Sequence, residues 1–285
     1  MSDDSAKKRT KSKERIQRVS KYVILTIAVI LILVPIVIIV FGGLKTRGEF
    51  MTIPYVPPIP PRWQNIVRIL SMKDFWYMMR NSVVVTLSAT VGIVVVSSMS
   101  AFVFSRMNFK GKAALFQFFT VGLMFPATVA ILPIFLIVRQ IGLQNNLIGV
   151  ILVLITFQIS MSTVILRNFF MDIPSELQDA SYIDGCNTVG FFWRILIPLA
   201  RPSLAAVAAL AVVNTWNDLL VVLVLIDKPG LWTLQLGTMQ FQGQYGQDLS
   251  LVSAFLILAA IPAVIFYVFA QRQLVSGLTA GSIKG

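Results

Sequence analysis

The sequence predicts an all-α, polytopic membrane protein with six transmembrane helices. Three observations carry that prediction. Of the 285 residues, 56% are hydrophobic and only 13% are charged, whereas about a quarter of the residues of an ordinary soluble domain are charged. The apolar residues gather into six runs, approximately 22–41, 83–104, 115–138, 147–166, 203–226 and 251–270. Each is about 20 residues or longer, enough to cross about 30 Å of hydrocarbon at about 1.5 Å per residue. The basic residues behind the net charge of +12 stand beside these runs and form no separate polar domain. The charge therefore reads as membrane topology, not as a nucleic-acid surface.

Residues 1–21 form a basic arm with Lys7, Lys8, Arg9, Lys11, Lys13, Arg15, Arg18 and Lys21 against Asp3, Asp4 and Glu14. Such a run rests on anionic headgroups, each basic residue near the surface contributing roughly 1 kcal/mol. The span that follows, residues 22–42, is longer than a signal-peptide core, and Phe41-Gly42-Gly43-Leu44 makes a poor cleavage site. It is expected to enter from the cytoplasm and to stay uncleaved. Six crossings then put both termini on the cytoplasmic side. Arg106, Lys110 and Lys112 in the first cytoplasmic loop agree with that orientation, while Lys45, Arg47, Arg62, Arg68, Lys73 and Arg80 in the outer segment oppose it.

The outer segment, residues 43–80, divides in two. Pro54, Pro57, Pro58, Pro60 and Pro61 predict a stiff extended linker. Residues 62–80 alternate charges with Trp63, Phe75, Trp76 and Tyr77, as an interfacial helix does, and an aromatic belt explains them better than a substrate role. Asn81-Ser82 is read as the helix start that opens a core of five spans, residues 81–270.

Within that core the spans are not uniformly apolar. Ser97, Ser98, Ser100 and Ala101 give the second span small residues for close helix approach. Pro126 and Pro133 are expected to interrupt the third. Thr156, Gln158, Ser160, Ser162 and Thr163 in the fourth fit helix–helix hydrogen bonds, with a polar pathway as the alternative.

Between the fourth and fifth spans lies the most polar long segment of the core, residues 175–202. Ser175 is a helix start, Asp184-Gly185 breaks the run because glycine enters the left-handed region without penalty, and Thr188 opens a second run. That second run carries Phe191, Phe192, Ile195 and Leu196 at helical spacing and is closed by Pro198 and Pro202. By itself the pattern describes a surface pair of amphipathic helices. It also resembles the cytoplasmic loop of the permease subunits of ATP-driven (ABC) importers, whose motif runs Glu-Ala-Ala, Asp-Gly and Ile-x-Leu-Pro. Here Asp179-Ala180-Ser181, Asp184-Gly185 and Ile195-Leu196-Ile197-Pro198 occupy those places. Asp179, Ser181 and Ile197 replace the family's Glu, Ala and Leu, keeping charge sign or apolar character.

In the fifth span, Asn214, Trp216, Asn217 and Asp218 form a polar cluster with Thr215. An Asp at mid-membrane costs roughly 2.5–3.5 kcal/mol, so the cluster is expected to face a protein interior or a wet cavity. A pathway or gate and a structural polar knot are both open at this point. A Trp-Asn-Asp triplet recurs here in the sugar-importing permeases that the chain resembles. The last outer loop, residues 228–250, with Trp232, Phe241 and Tyr245, reads as an ordinary loop, with a partner surface as the alternative. The tail, residues 271–285, is too polar for membrane and too glycine-rich for a stable helix. Its Gly277, Leu278, Thr279, Ala280 and Gly281, followed by Lys284-Gly285, resemble the tail of maltose-type carbohydrate permeases, which implies a contact with the ATPase.

Several chemistries are excluded outright. There is no His, so His-based triads and metal sites are absent, and the single Cys186 forbids an internal disulfide. No phosphate-binding G-x-x-x-x-G-K-[ST] loop occurs, since Gly111-Lys112 lacks both its upstream Gly and its following hydroxyl residue. No cofactor or metal is expected on this chain. The resemblance implies the type I ABC importer permease fold, with short coupling helices in the cytoplasmic loop before the fifth span, and a transporter subunit in place of an enzyme. It also implies a second permease subunit in a heterodimer, two ATPase subunits holding ATP and magnesium, and an extracytoplasmic solute-binding protein that delivers a carbohydrate. All of this sits in the cell membrane of a prokaryote. Coupling then falls to Leu177, Asp179, Ala180, Ser181, Ile183, Asp184, Gly185, Phe191, Leu196 and Pro198, with Leu177, Ala180, Ile183 and Phe191 seating the lever. A permease for another solute such as a glycerophosphate is the alternative, and a membrane scaffold or intramembrane enzyme a more distant one.

Overall fold

The computed structural model describes the backbone of residues 2–280 and the side chains of residue 15 and residues 17–271. Among the described residues every regular element is helical. The helices are α1 (Ser2–Gly43), α2 (Arg47–Thr52), α3 (Gln64–Leu70), α4 (Lys73–Arg106), α5 (Lys112–Val121), α6 (Ala127–Gln140) and α7 (Leu147–Asp172). They continue with α8 (Glu176–Ile183), α9 (Thr188–Phe191), α10 (Ile197–Leu199), α11 (Arg201–Trp216), α12 (Leu220–Leu225), α13 (Leu234–Tyr245) and α14 (Leu249–Ala280). They fall into two compact units, Met1–Ser71 with Gln242–Leu258, and Met72–Phe241 with Ala259–Gly285.

In the first unit, α1 carries the apolar stretch Gln17–Gly43, whose most apolar window buries nothing within the chain. Beyond Gly43 the chain is held by polar groups. Lys45 is buried, and its Nζ donates to the carbonyls of Ile53 (2.6 Å) and Pro54 (3.2 Å) while lying 5.9 Å from the Phe41 ring. Those partners replace the water an ammonium group loses on burial. Thr46 and Glu49 close a capping box on α2, the Thr46 N–H donating to the Glu49 carboxylate (2.7 Å) and the Glu49 N–H to the Thr46 Oγ1 (3.2 Å). The interfacial helix expected over residues 62–80 is shorter than its sequence suggests. It ends at Leu70, where the Ser71 hydroxyl donates to the Val67 carbonyl and Met72 turns extended.

In the second unit the span after that break starts at Lys73, so Asn81-Ser82 is not a helix start. These residues lie two turns inside α4. The Asn81 Nδ2 donates to the carbonyls of Gly230 and Trp232 (both 3.0 Å), and the Ser82 hydroxyl accepts the Leu234 N–H (2.8 Å). The pair pins a segment some 150 positions away. That segment, expected to be loop, carries α13, and Phe241 on it is buried.

Helices α4, α7 and α11 build the core, with Ala89, Ile93, Leu154, Leu166, Val207 and Ala211 buried between them. A bilayer gives helices no hydrophobic drive to associate, so close packing must hold them. Ser97, Ser98 and Ala101 are buried as their size suggests, and a Cβ on Gly92 would stand 2.4 Å from the Ile155 Cδ1. The helices touch where side chains are smallest.

Among the described residues, four helical stretches are long and apolar enough to cross a membrane, Gln17–Gly43, Lys73–Arg106, Leu147–Asp172 and Leu249–Gln271, and two bent pairs bring the number to as many as six. The third expected span is α5 and α6, bent by 104° at Phe125-Pro126, where the proline lacks the N–H that would continue the helix. Pro133 lies inside α6 and does not break it. The fifth expected span, residues 203–226, is also divided. Helix α11 starts at Arg201 at 77° to the preceding Thr188–Leu199 run, with Pro202 in its first turn, and stops at Trp216. Only the six residues of α12 follow.

Candidate functional site

The loop after α7 is an elbow of defined geometry. Helix α8 ends in a Schellman arrangement: the Cys186 N–H donates to the Ser181 carbonyl (2.9 Å) and the Gly185 N–H to the Tyr182 carbonyl (3.1 Å). This requires Gly185 at φ +81°, in the left-handed region, with open space where a side chain would be. Asn187 then caps the next run, its Oδ1 accepting the Gly190 N–H at 2.7 Å. One wide π-helical turn, Phe192–Leu196, carries the run into α10.

The two sides of the elbow differ. Leu177, Asp179, Ala180, Ile183 and Asp184 are exposed, Ile183 to 86%. Opposite them, Ser181 is buried, donating to the Gln178 carbonyl at 2.7 Å. Phe191 is also fully buried, its ring 6.3 Å from both Phe102 and Tyr182, and Leu196 is buried beside it in the core. Phe191 thus bolts the elbow to α4 and offers nothing outward, contrary to its expected place among the seating contacts. Pro198 is half-buried inside α10 and does not end the run. An exposed Leu177, Ala180 and Ile183 on a helix held from behind can receive a partner without burial of new polar backbone.

The elbow is further tied at its base. The Arg106 guanidinium, at the C-terminus of α4, donates to the carbonyls of Phe170 and Ile173 at the end of α7. The Arg167 Nε of α7 donates back to the Phe104 carbonyl (3.2 Å), and its guanidinium stacks 4.2 Å over the Phe116 ring. Sequence reading assigned Arg106 to topology and missed Arg167. The available signal was a basic residue near the end of each helix, Arg106 in the last turn of α4 and Arg167 just over one turn before the end of α7.

The second candidate site is the break after Trp216. Trp216 is buried, and Asn217 ends α11, its Nδ2 donating to the Val213 carbonyl (2.8 Å). The Asp218 Oδ1 accepts the Val221 N–H at 2.9 Å, capping the first turn of α12. Asp218 is therefore a helix-capping residue at a break, not a carboxylate inside a continuous span. Asn214 faces the fourth span, donating to the Gln158 Oε1 at 3.3 Å. Ser160 of that span donates to the Phe119 carbonyl (3.1 Å) near the bend of the third. Trp216 and Asn217 also line a cavity of about 360 Å³ with Thr86, Leu87, Val212 and Tyr267. Its walls are almost wholly apolar, so hydrogen bonds to a saccharide would have few partners there.

The tail residues Gly277, Leu278, Thr279 and Ala280 continue α14, against the expectation that the tail is too glycine-rich for a stable helix, while their side chains and all of Gly281, Lys284 and Gly285 lie outside the described residues.

The family model of the binding-protein-dependent transport system inner membrane component matches residues 92–279, and the chain belongs to that family. It is 32% identical over 254 residues to the sulfoquinovosyl glycerol transport system permease protein SmoH of Agrobacterium fabrum, covering 89% of each chain. It is 34% identical over 211 residues to the diacetylchitobiose uptake system permease protein DasC of Streptomyces coelicolor, covering 74% of this chain and 76% of that one. Among solved structures, a chain of a bacterial ABC transporter involved in import of the acidic polysaccharide alginate superposes with a TM-score of 0.81. That match has 23% identity and covers 91% of this chain and 97% of the other; it shows the fold.

Proposed function

We propose that this chain is a permease subunit of an ATP-driven carbohydrate importer in a prokaryotic cell membrane, with both termini in the cytoplasm. It works beside a second, different permease subunit, two ATPase subunits that hold ATP and magnesium, and an extracytoplasmic solute-binding protein. The carbohydrate assignment rests on relatives that carry diacetylchitobiose and sulfoquinovosyl glycerol in their names. The observation that carries the mechanism is the two-sided elbow. Phe191 and Leu196 are fully buried, while Leu177, Ala180 and Ile183 stand outward on the other side of a turn made at Gly185 with positive φ. An ATPase groove that grips the outward side moves α8 as a rigid piece, and the Arg106–Arg167 ties pass that motion to the ends of α4 and α7.

Crosslinking tests this reading directly. A cysteine at position 183, with Cys186 changed to Ser, should crosslink to the ATPase in membranes of the assembled transporter. Ile183→Glu should abolish co-purification of the ATPase while leaving the chain folded. Capture of no ATPase from position 183, or an external location of that cysteine by impermeant labelling, rejects the elbow. Uptake over a panel of mono- and oligosaccharides, with a glycerophosphate as the non-sugar arm, identifies the solute class.

A further inference from the structure

The segment from the end of the first span through α3 carries basic groups that the transport mechanism does not use. Arg62 and Arg68 are exposed and, with the exposed Trp63, line a groove of about 780 Å³ to which Pro60, Pro61 and Val67 also contribute. Among the described residues, neither guanidinium has a carboxylate at ion-pair distance. Arg68 lies 5.9 Å from the Tyr245 ring, and Arg62 acts on Glu49 only through longer-range charge.

The depth of this groove follows from its hydrogen bonds. The Arg62 N–H donates to the Leu44 carbonyl (2.8 Å), and the Asn65 Nδ2 donates to the carbonyls of Gly43 (3.1 Å) and Lys45 (2.9 Å). These carbonyls stand at the end of the first membrane helix, whose apolar run of roughly 22 residues up to Gly43 spans about 33 Å, the thickness of the hydrocarbon core. The groove is therefore held at the height of the phospholipid headgroups. Ile69, next to Arg68 on α3, is fully buried, which sets the rotation of the helix and leaves Arg68 exposed. An indole prefers this level, where its apolar body meets acyl chains and its N–H meets water. Two guanidinium forks beside it match the oxygens of a phosphodiester.

We propose that the groove at Arg62, Trp63 and Arg68 is a binding site for the headgroup of an anionic phospholipid. The phosphate is held by the two arginines, and the glycerol and upper acyl chain lie against Trp63 and Val67. The site also explains why basic residues persist in a segment where the positive-inside rule disfavours them.

The full-length chain, delipidated in detergent, is titrated with dioctanoyl phosphatidylglycerol and with dioctanoyl phosphatidylcholine, and bound lipid is counted by native mass spectrometry. Phosphatidylglycerol should bind more tightly. In R62Q/R68Q its Kd should rise by about thirtyfold, and by about fivefold in each single variant, at about 1 kcal/mol per basic side chain near a charged headgroup. R47Q, a neighbouring change outside the groove, should move it by less than about twofold. If the double variant fails to fold, the single variants give the same reading. Unchanged phosphatidylglycerol affinity in folded R62Q and R68Q overturns the site. Equal competition by soluble glycerol 1-phosphate shows a free-phosphate site and overturns the lipid assignment. So does photo-crosslinking from position 63 that reaches an acidic solute-binding protein and no lipid.

Discussion

Arg106 and Arg167 each hold the end of the other's helix. The guanidinium of Arg106 on α4 donates to the Phe170 and Ile173 carbonyls at the end of α7, and the Nε of Arg167 on α7 donates to the Phe104 carbonyl near the end of α4. The terminal carbonyls of a helix have no partner within it, and a cation there also favours the helix dipole. One exchange thus satisfies two helix ends and sets the base from which the elbow projects.

Removing either arginine leaves half-buried carbonyls unpaired. Arg106→Gln should lower stability by about 1.5–3 kcal/mol, the range for hydrogen bonds to a charged group. Arg167→Gln should cost less than Arg106→Gln, since it forms one such bond against two. Because both changes loosen the same junction, the double variant should lose less than the sum of the singles. Thermal unfolding of the three variants in one detergent measures this, and strict additivity would show that the two bonds act independently.

At Gly185 the backbone requirement is separable from any contact, because nothing lies within 4 Å of an added Cβ. A non-glycine residue at φ +81° costs about 1–2 kcal/mol, less for Asn. Gly185→Val should therefore shift or loosen the elbow and uncouple ATP hydrolysis from uptake, while Gly185→Asn should retain most coupling. The readout is solute-stimulated ATPase activity in the reconstituted transporter. Equal behaviour of Val and Gly at this position would remove the turn from the coupling mechanism.

A second clasp joins the loop before α7 to the end of α12. The Asn145 Oδ1 accepts the N–H groups of Asp227 (2.6 Å) and Lys228 (3.2 Å), and its own N–H donates to the Leu225 carbonyl (2.9 Å). Asn145 is the only non-glycine residue at positive φ among the described residues. Asn145→Ala loses the acceptor and takes the backbone strain as well, with an expected cost of about 2 kcal/mol. Asn145→Asp keeps the acceptor oxygen but sets a carboxylate against that of Asp227, to which the Asn145 Nδ2 donates at 3.3 Å, and should recover only part of that loss in the same thermal assay.

Local chemistry was legible in the sequence, and distant partnership was not. Asp184-Gly185 announces its turn because a glycine after a short helix has one common use. Asn81-Ser82 carries the same residue types as a helix start, yet its partners are Gly230, Trp232 and Leu234, invisible to any local pattern. Phe191 shows a related gap. Helical spacing places it on the apolar face of the second run, but spacing does not say whether that face meets a partner protein or the chain's own α4. The proline bend at residue 126 was expected, whereas the end of α11 at Trp216 was hidden within a run of Leu and Val that continues beyond it.

That hidden break decides how Asp218 should be tested. An Asp in an unbroken span would need its charge neutralised or hydrated, and only a role for that charge would justify its cost. The Asp218 carboxylate instead accepts the Val221 N–H at the start of α12, a task that needs an oxygen acceptor and no charge. Asp218→Ala should thus cost about 0.5–2 kcal/mol and impair transport severalfold by loosening α12. Asp218→Asn and Asp218→Ser, which keep an acceptor, should transport at near wild-type rates. Uptake by reconstituted variants of matched assembly separates the two roles. If Asn and Ser are as impaired as Ala, the negative charge itself takes part in transport and capping is not the reason for the residue.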